Sequence, residues 1–311
     1  MSLSKLLLVL GVIGWLFAAD ISAPKMEIQE KDQKRVLFFP QGVVITDKET
    51  RLSANQALFY EQDNFAWLYD SVTISNPTSI VLAETLFYDF NTKTGRLRGN
   101  VVVQTETLEI RSPELTYAQR ANYLKADTCF ILRDKIHQLI ISGTSAWYDL
   151  SQDVGEVTQD PILYIIRGDT LKITSKFMRL ENQAGCFYAY ESVRVLNPSS
   201  VLTCDTLVYL IKENVAEARG EPLLVERSNY LKSSSIRFYL VQADSTNQGT
   251  LQSVEATGPV SVRYLTNEQG IVELTGQRFI ARYENGELKE IIIQHQDNDF
   301  VTGKYHAPEE L

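Results

Sequence analysis

Along most of the chain, apolar and polar residues alternate with a period of two, in short runs separated by turn-forming residues. The runs GVVI (42–45), SVTI (71–74), NVVV (100–103), SVRV (192–195), PLLV (222–225) and PVSV (259–262) open on Gly, Ser, Asn or Pro. Where the middle residue is polar, as at Thr73, Arg194 and Ser261, one face of the strand is wet and the other dry. Val72 and Ile74, Val193 and Val195, and Val260 and Val262 are therefore expected to point inward. Between these runs a small residue is followed, roughly five to seven positions later, by a tyrosine. The pairs are Ala54 with Tyr60, Ala83 with Tyr88, Ser112 with Tyr117, Gly143 with Tyr148, Cys204 with Tyr209, Ser234 with Tyr239 and Gly276 with Tyr283, while Ser175 has Leu180 in the tyrosine position. The small positions recur about every 30 residues, with one longer interval holding the polar stretch 243–252, which reads as a loop. Segments 91–95 (NTKTG), 181–185 (ENQAG) and 285–287 (NGE) carry turn chemistry. Each repeat thus reads as strand, turn, strand, turn. Such a unit buries its dry face only against stacked neighbours, which predicts an elongated all-β array of about eight repeats.

Composition sharpens this picture. The 15 Tyr and 13 Phe against 3 Met and 3 Trp favour strands. With 44% hydrophobic and 22% charged residues the chain can bury a core and is not disordered. A formal net charge of −9 excludes a general nucleic-acid binder, since phosphate affinity requires clustered Lys and Arg. Cys129, Cys186 and Cys204 cannot all pair and none has metal-ligand spacing, and there are few histidines, namely His137, His295 and His306. No catalytic residue, metal or cofactor is expected. At the amino terminus Lys5 precedes the apolar run 6–19, which has the length of a signal-peptide core and predicts export. Cleavage near residue 23 and retention as an anchor both stay open, and residues 24–35 read as a polar linker.

The ensemble of these repeats resembles the OstA-like, or LptA-like, family of lipopolysaccharide transport, also described as the organic solvent tolerance protein N-terminal-like domain. The resemblance is carried by LxANQALFY (52–60), VLAETLFYDFNTKTGRLRGNVVV (81–103), LTCDTLVYLIKENVAEARGEPLLV (202–225) and the closing LTGQRFIARYENGELKEIII (274–293). It covers residues 36–303, as one array or as two fused modules, 36–165 and 166–303, followed by a tail, 304–311. The resemblance implies an elongated V-shaped β-jellyroll of stacked antiparallel strands with a greasy interior. It further implies residence in the periplasm and binding of acyl chains of lipopolysaccharide or a similar glycolipid. Edge-strand pairing with other β-jellyroll proteins of the system is implied too, and with it homo-oligomers. On that reading the tails would lie against Val72, Ile74, Val101, Val103, Val193, Val195, Val260 and Val262, with Phe87, Trp147, Phe238 and Ile280 opposite. The same residues would serve as well in a sealed core. Edge pairing is expected near 36–45 and 290–294. No phosphate-binding GxxxxGK[ST] loop is present, so transport would be passive. An inner-membrane-anchored LptC-like subunit, a stacked-β polysaccharide-active enzyme and a structural exported repeat protein remain alternatives.

Overall fold

The computed structural model describes residues 20–306 except 32, 48, 119, 137, 150, 168, 242–250, 267–269, 285–286 and 296–300. The expected leader and most of the expected 243–252 loop therefore lie outside the described residues. Every regular element among the described residues is a β-strand. The chain divides into two compact units that meet between Gln159 and Asp160.

In the first unit, long strands meander back and forth: Phe65–Asn76, Ser79–Asp89, Thr94–Thr105 and Leu108–Ala118 pair antiparallel in sequence order. Each is bent near its middle. Tyr69 pairs with Thr85, but the next register pair is Val72 with Ala83, so Asp70 and Ser71 together face the single residue Glu84. Both bulged residues are left-handed, at φ 62° and 61°. One strand on, Gly99 (φ 77°) and Asn100 (φ 46°) repeat the device. The second unit uses Glu191 and Ser192, then Gly220 and Glu221, then Gly258 at corresponding places.

This bend explains why a small residue recurs about every 30 positions in the sequence. Ala83, Ser112, Ser175 and Cys204 are buried inside the corner, where only a short side chain fits. The next residue sits outside, over the left-handed pair of the neighbouring strand. Glu84 there accepts a 2.8 Å hydrogen bond from Asn100 Nδ2, and Lys176 Nζ donates to Glu191 at 2.9 Å. Where serine fills the corner it also satisfies the disrupted ladder: Ser112, Ser175 and Ser233 each donate Oγ–H to the carbonyl two residues on, at 2.7, 3.0 and 2.8 Å. The corner residue of that last strand is Ser233, which is buried, and not the exposed Ser234 expected from the sequence.

The bulge also resets the side-chain phase. Along Ser79–Asp89 the inward residues are Val81 and Ala83 before the corner, then Leu86 and Tyr88 after it. Both arms of the bent strand therefore present apolar residues to the same interior. In two strands the ring five residues past the corner is a phenylalanine: Phe59 and Phe238 face inward, while Tyr60 faces outward and stacks on Phe65 at 4.4 Å.

The stretch expected as a polar linker is part of the sheet. Glu27–Lys31 pairs with Lys34–Phe39, and Asp20–Ser22 pairs with Val44, Ile45 and Thr46. The alternation of Ile28 with polar neighbours lets this short segment add a strand locally. At the other end Thr302–His306 pairs with the segment from Ile271 to Thr275.

Candidate functional site

The inner lining of each unit is built from two kinds of cross-strand row, one on each arm of the bend. In the first unit one row runs Leu52, Ile74, Val81, Val103, Ile110, all buried, and Val72 and Val101 lie beside it at the corner. The row on the other arm runs Phe59, Ala66, Tyr88, Gly95, Tyr117, Leu124. Large and small residues alternate in it. A methyl on Gly95 would lie 3.4 Å from the ring of Tyr88, so the rings lie down over glycine and alanine and the interior closes. Tyr88 is fully buried and Tyr117 is 2% exposed. Burial pushes both phenol pKa values up from their ordinary value, that of Tyr88 strongly.

The second unit has the same rows with different sizes. Leu180, Phe187 and Tyr209 are successive cross-strand neighbours, followed by Ala216 and Phe238. Three bulky residues meet here with no glycine between them, and all three are only half-buried, as is Phe238. On the other arm Val195, Leu224 and Leu274 are also half-buried, whereas Leu202, Leu231 and Val262 between them are buried. Residues next to the corner stay covered: Val193 is 1% exposed and Val260 2%. Cys204 belongs to this corner, and burial raises its thiol pKa to about 11, which keeps it a protonated packing residue. The lining is therefore dry at its corner and accessible away from it.

The residues expected as lining fall into three groups. Val72, Ile74, Val101 and Val103 sit in the sealed interior of the first unit. Val193, Val195, Val260, Val262 and Phe238 face the accessible interior of the second. Phe87 and Trp147 do not join either interior, and Ile280 alternates away from it although it is buried, at 8% exposed. They stand on the opposite face, between the inward pairs Leu86 and Tyr88, Ala146 and Tyr148, and Phe279 and Ala281. Each lies four residues past its corner, which would be inward in an unbroken strand and is outward once the bulge has shifted the phase. Sequence reasoning missed the inward Phe187, Leu180 and Tyr209 for the same reason.

At the first strands of the first unit and the last strands of the second, inward-facing apolar residues have no further rung among the described residues. Ile21 and Ile28 pair with the inward Ile45 and Leu37, yet they are 47% and 58% exposed. Ile291 and Tyr305 are likewise exposed opposite Ala281 and Val272. The strand segment 36–45 is covered by Glu27–Lys31 and Asp20–Ser22, so those two strands form the outer edge instead. Glu287–Gln294 pairs with Ile271–Glu284 along one side.

These features define a class: an all-β protein of stacked, bent antiparallel hairpins with an apolar inner face. Residues 19–139 match the family described as OstA-like protein. Among solved structures the chain is similar to LptH, the LptA homologous periplasmic component of the conserved lipopolysaccharide transport device from Pseudomonas aeruginosa. The identity is 12%, with 46% of this chain and 82% of that chain covered at a TM-score of 0.23. No curated protein matches.

Proposed function

We propose that the protein is an exported, periplasmic lipid carrier of the lipopolysaccharide-transport type, and that it shelters acyl chains against the inner face of residues 160–306. The observation that carries this reading is the half-buried row Leu180, Phe187, Tyr209, Phe238 in a unit whose corner is otherwise dry. Exposed hydrocarbon costs about 0.8 kcal/mol per CH₂ in water, and a lipid tail laid along this row removes that cost for itself and for the wall. The first unit is not the receptor: Ile74 is fully buried and Val103 1% exposed, so a tail entering there would have to displace a packed core. Val195 and Phe238 are the accessible lining residues of the reading, Val193, Val260 and Val262 back them at the covered corner, and Phe87, Trp147 and Ile280 lie outside it. The net charge of −9 leaves anionic headgroups outside while the tails supply the attraction. The exposed apolar residues and edge strands, Asp20–Ser22 and Glu27–Lys31 in the first unit and Glu287–Gln294 in the second, suit strand addition by further β-repeat proteins or by a second copy.

Photo-crosslinking tests the reading. A benzophenone amino acid at Leu180 or Phe238 is expected to capture labelled lipid A in cells, and the same group at Val103 is expected to capture none. Absence of adducts at both Leu180 and Phe238 in folded protein, or equal capture at Val103, would overturn it.

A further inference from the structure

The outer face of the first unit carries a second kind of surface. Trp67, Phe87 and Arg96 are successive cross-strand neighbours, and the row continues through Thr116 and Lys125 to Trp147. Trp67 and Phe87 pack at 4.8 Å with their planes tilted by 55°. Together with Arg96 and Arg98 they line a shallow cavity of about 210 Å³. Trp67 is 36% exposed, an unusual state for the largest apolar side chain on a sheet whose other face has a core to offer. Farther along, Trp147 stacks on Tyr123 at 6.2 Å, with planes 20° apart. Glu114 holds the two guanidinium groups side by side, accepting a hydrogen bond from Arg98 Nε at 3.0 Å and ion-paired with Arg96 Nε at 3.3 Å, and both arginine side chains remain about half exposed.

We infer that this face binds an anionic oligosaccharide, independently of any acyl chain in the second unit. Flat aromatic faces suit the C–H face of a sugar ring, which is apolar and rigid, and the partly wet tryptophans supply contact area at low entropic cost. The arginine pair offers planar donors to carboxylate or phosphate oxygens on the sugar. From Phe87 to Trp147 there are four strand steps, roughly 19 Å at the usual spacing, which makes the surface a track for several sugar units. Aromatic and arginine surfaces also take single-stranded nucleic acid, but a chain with 39 acidic against 30 basic residues repels a ligand charged at every unit. A saccharide with sparser charge escapes that penalty.

The test uses the full chain titrated with a hyaluronan tetrasaccharide, charged at every second sugar, read by tryptophan fluorescence and calorimetry, with neutral cellotetraose, inorganic phosphate and oligothymidylate in parallel. The hyaluronan tetrasaccharide is expected to bind in preference to all three. Trp67→Ala and the double variant Arg96→Gln/Arg98→Gln are each expected to weaken it roughly tenfold or more with an unchanged circular-dichroism spectrum, and Trp67→Phe to retain most of it. Failure of the hyaluronan tetrasaccharide to bind at millimolar concentration, equal binding of cellotetraose or phosphate, or tighter binding of oligothymidylate would each overturn the inference.

Discussion

Gly95 and Gly99 lie on one strand four residues apart and have opposite duties. Gly99 is the left-handed bulge residue at φ 77°, and a Cβ there would run into the side chain of Glu84. Gly95 has no such backbone, and a Cβ would meet Tyr88 at 3.4 Å, ordinary contact. Gly99→Ala is therefore expected to destabilise the first unit by about 1–3 kcal/mol, and Gly95→Ala by less than about 1 kcal/mol, since alanine also restricts the unfolded chain. Urea midpoints of the two variants compare them directly. The same corner marks how far residues could be read from sequence. The inward residues Val72, Ile74, Val101, Val103, Val193, Val195, Val260 and Val262 lie in short runs that no bulge interrupts, where simple alternation holds. Phe87, Trp147 and Ile280, expected opposite these residues on the strength of the resemblance, lie four residues past a small corner residue, where the bulge has shifted the phase and turns them to the other face. Nothing in a run such as LAETLFY announces that one residue will be left out of the alternation. That depends on a left-handed pair in the next strand.

At the scale of elements, the outer faces of neighbouring strands are joined by carboxylates that each serve two arginines. Glu217, on Val215–Arg219, accepts from Arg219 at 2.8 Å and lies 3.3 Å from Arg237 on Ser235–Leu240. The hydrogen bond from Arg219 is the main cause that holds its carboxyl below the ordinary value of 4.5, against an opposing effect of burial. A lowered folded-state pKa means the unfolded chain binds the proton more readily, so the contribution is complete above pH 4.5 and is lost as pH falls through the folded value. Exposed pairs of this kind are worth about 0.2–1 kcal/mol. Glu217→Gln is thus expected to lower stability by up to about 1 kcal/mol at pH 7 and to flatten the loss between pH 5 and pH 3, measured by urea unfolding across that range. A variant as acid-sensitive as the parent would show that the two strands are held by their backbone ladder alone. Strand existence was legible from alternation and turn residues, because both are local. The strands at 20–22 and 27–31 were not, because their apolar residues are few and their place is set by the hairpins they cover.

For the whole molecule, the two units differ in how completely their interiors close, and this has a thermodynamic signature. Alternating tyrosines with glycine and alanine buries Tyr88 and Tyr117 in the first unit, where Phe59, Ile141 and Tyr148 are half-buried, while the run Leu180, Phe187, Tyr209 leaves the second with three adjacent bulky residues in contact with water. The second unit should accordingly be the less stable one when empty and the one that an acyl ligand stabilises. A ligand at 100 times its Kd adds about 2.7 kcal/mol to the state that binds it. The sequence supplies the probe: the 3 tryptophans are Trp15, Trp67 and Trp147, all before residue 160, so tryptophan fluorescence follows the first unit while circular dichroism follows strands in both. On heating, part of the dichroic change is expected below the fluorescence transition, and addition of lipid A should raise that early part without moving the fluorescence midpoint. A ligand that shifts both transitions equally, or the fluorescence alone, would place the tails against Val72 and Val103 and would require the tyrosine-over-glycine seal of the first unit to open.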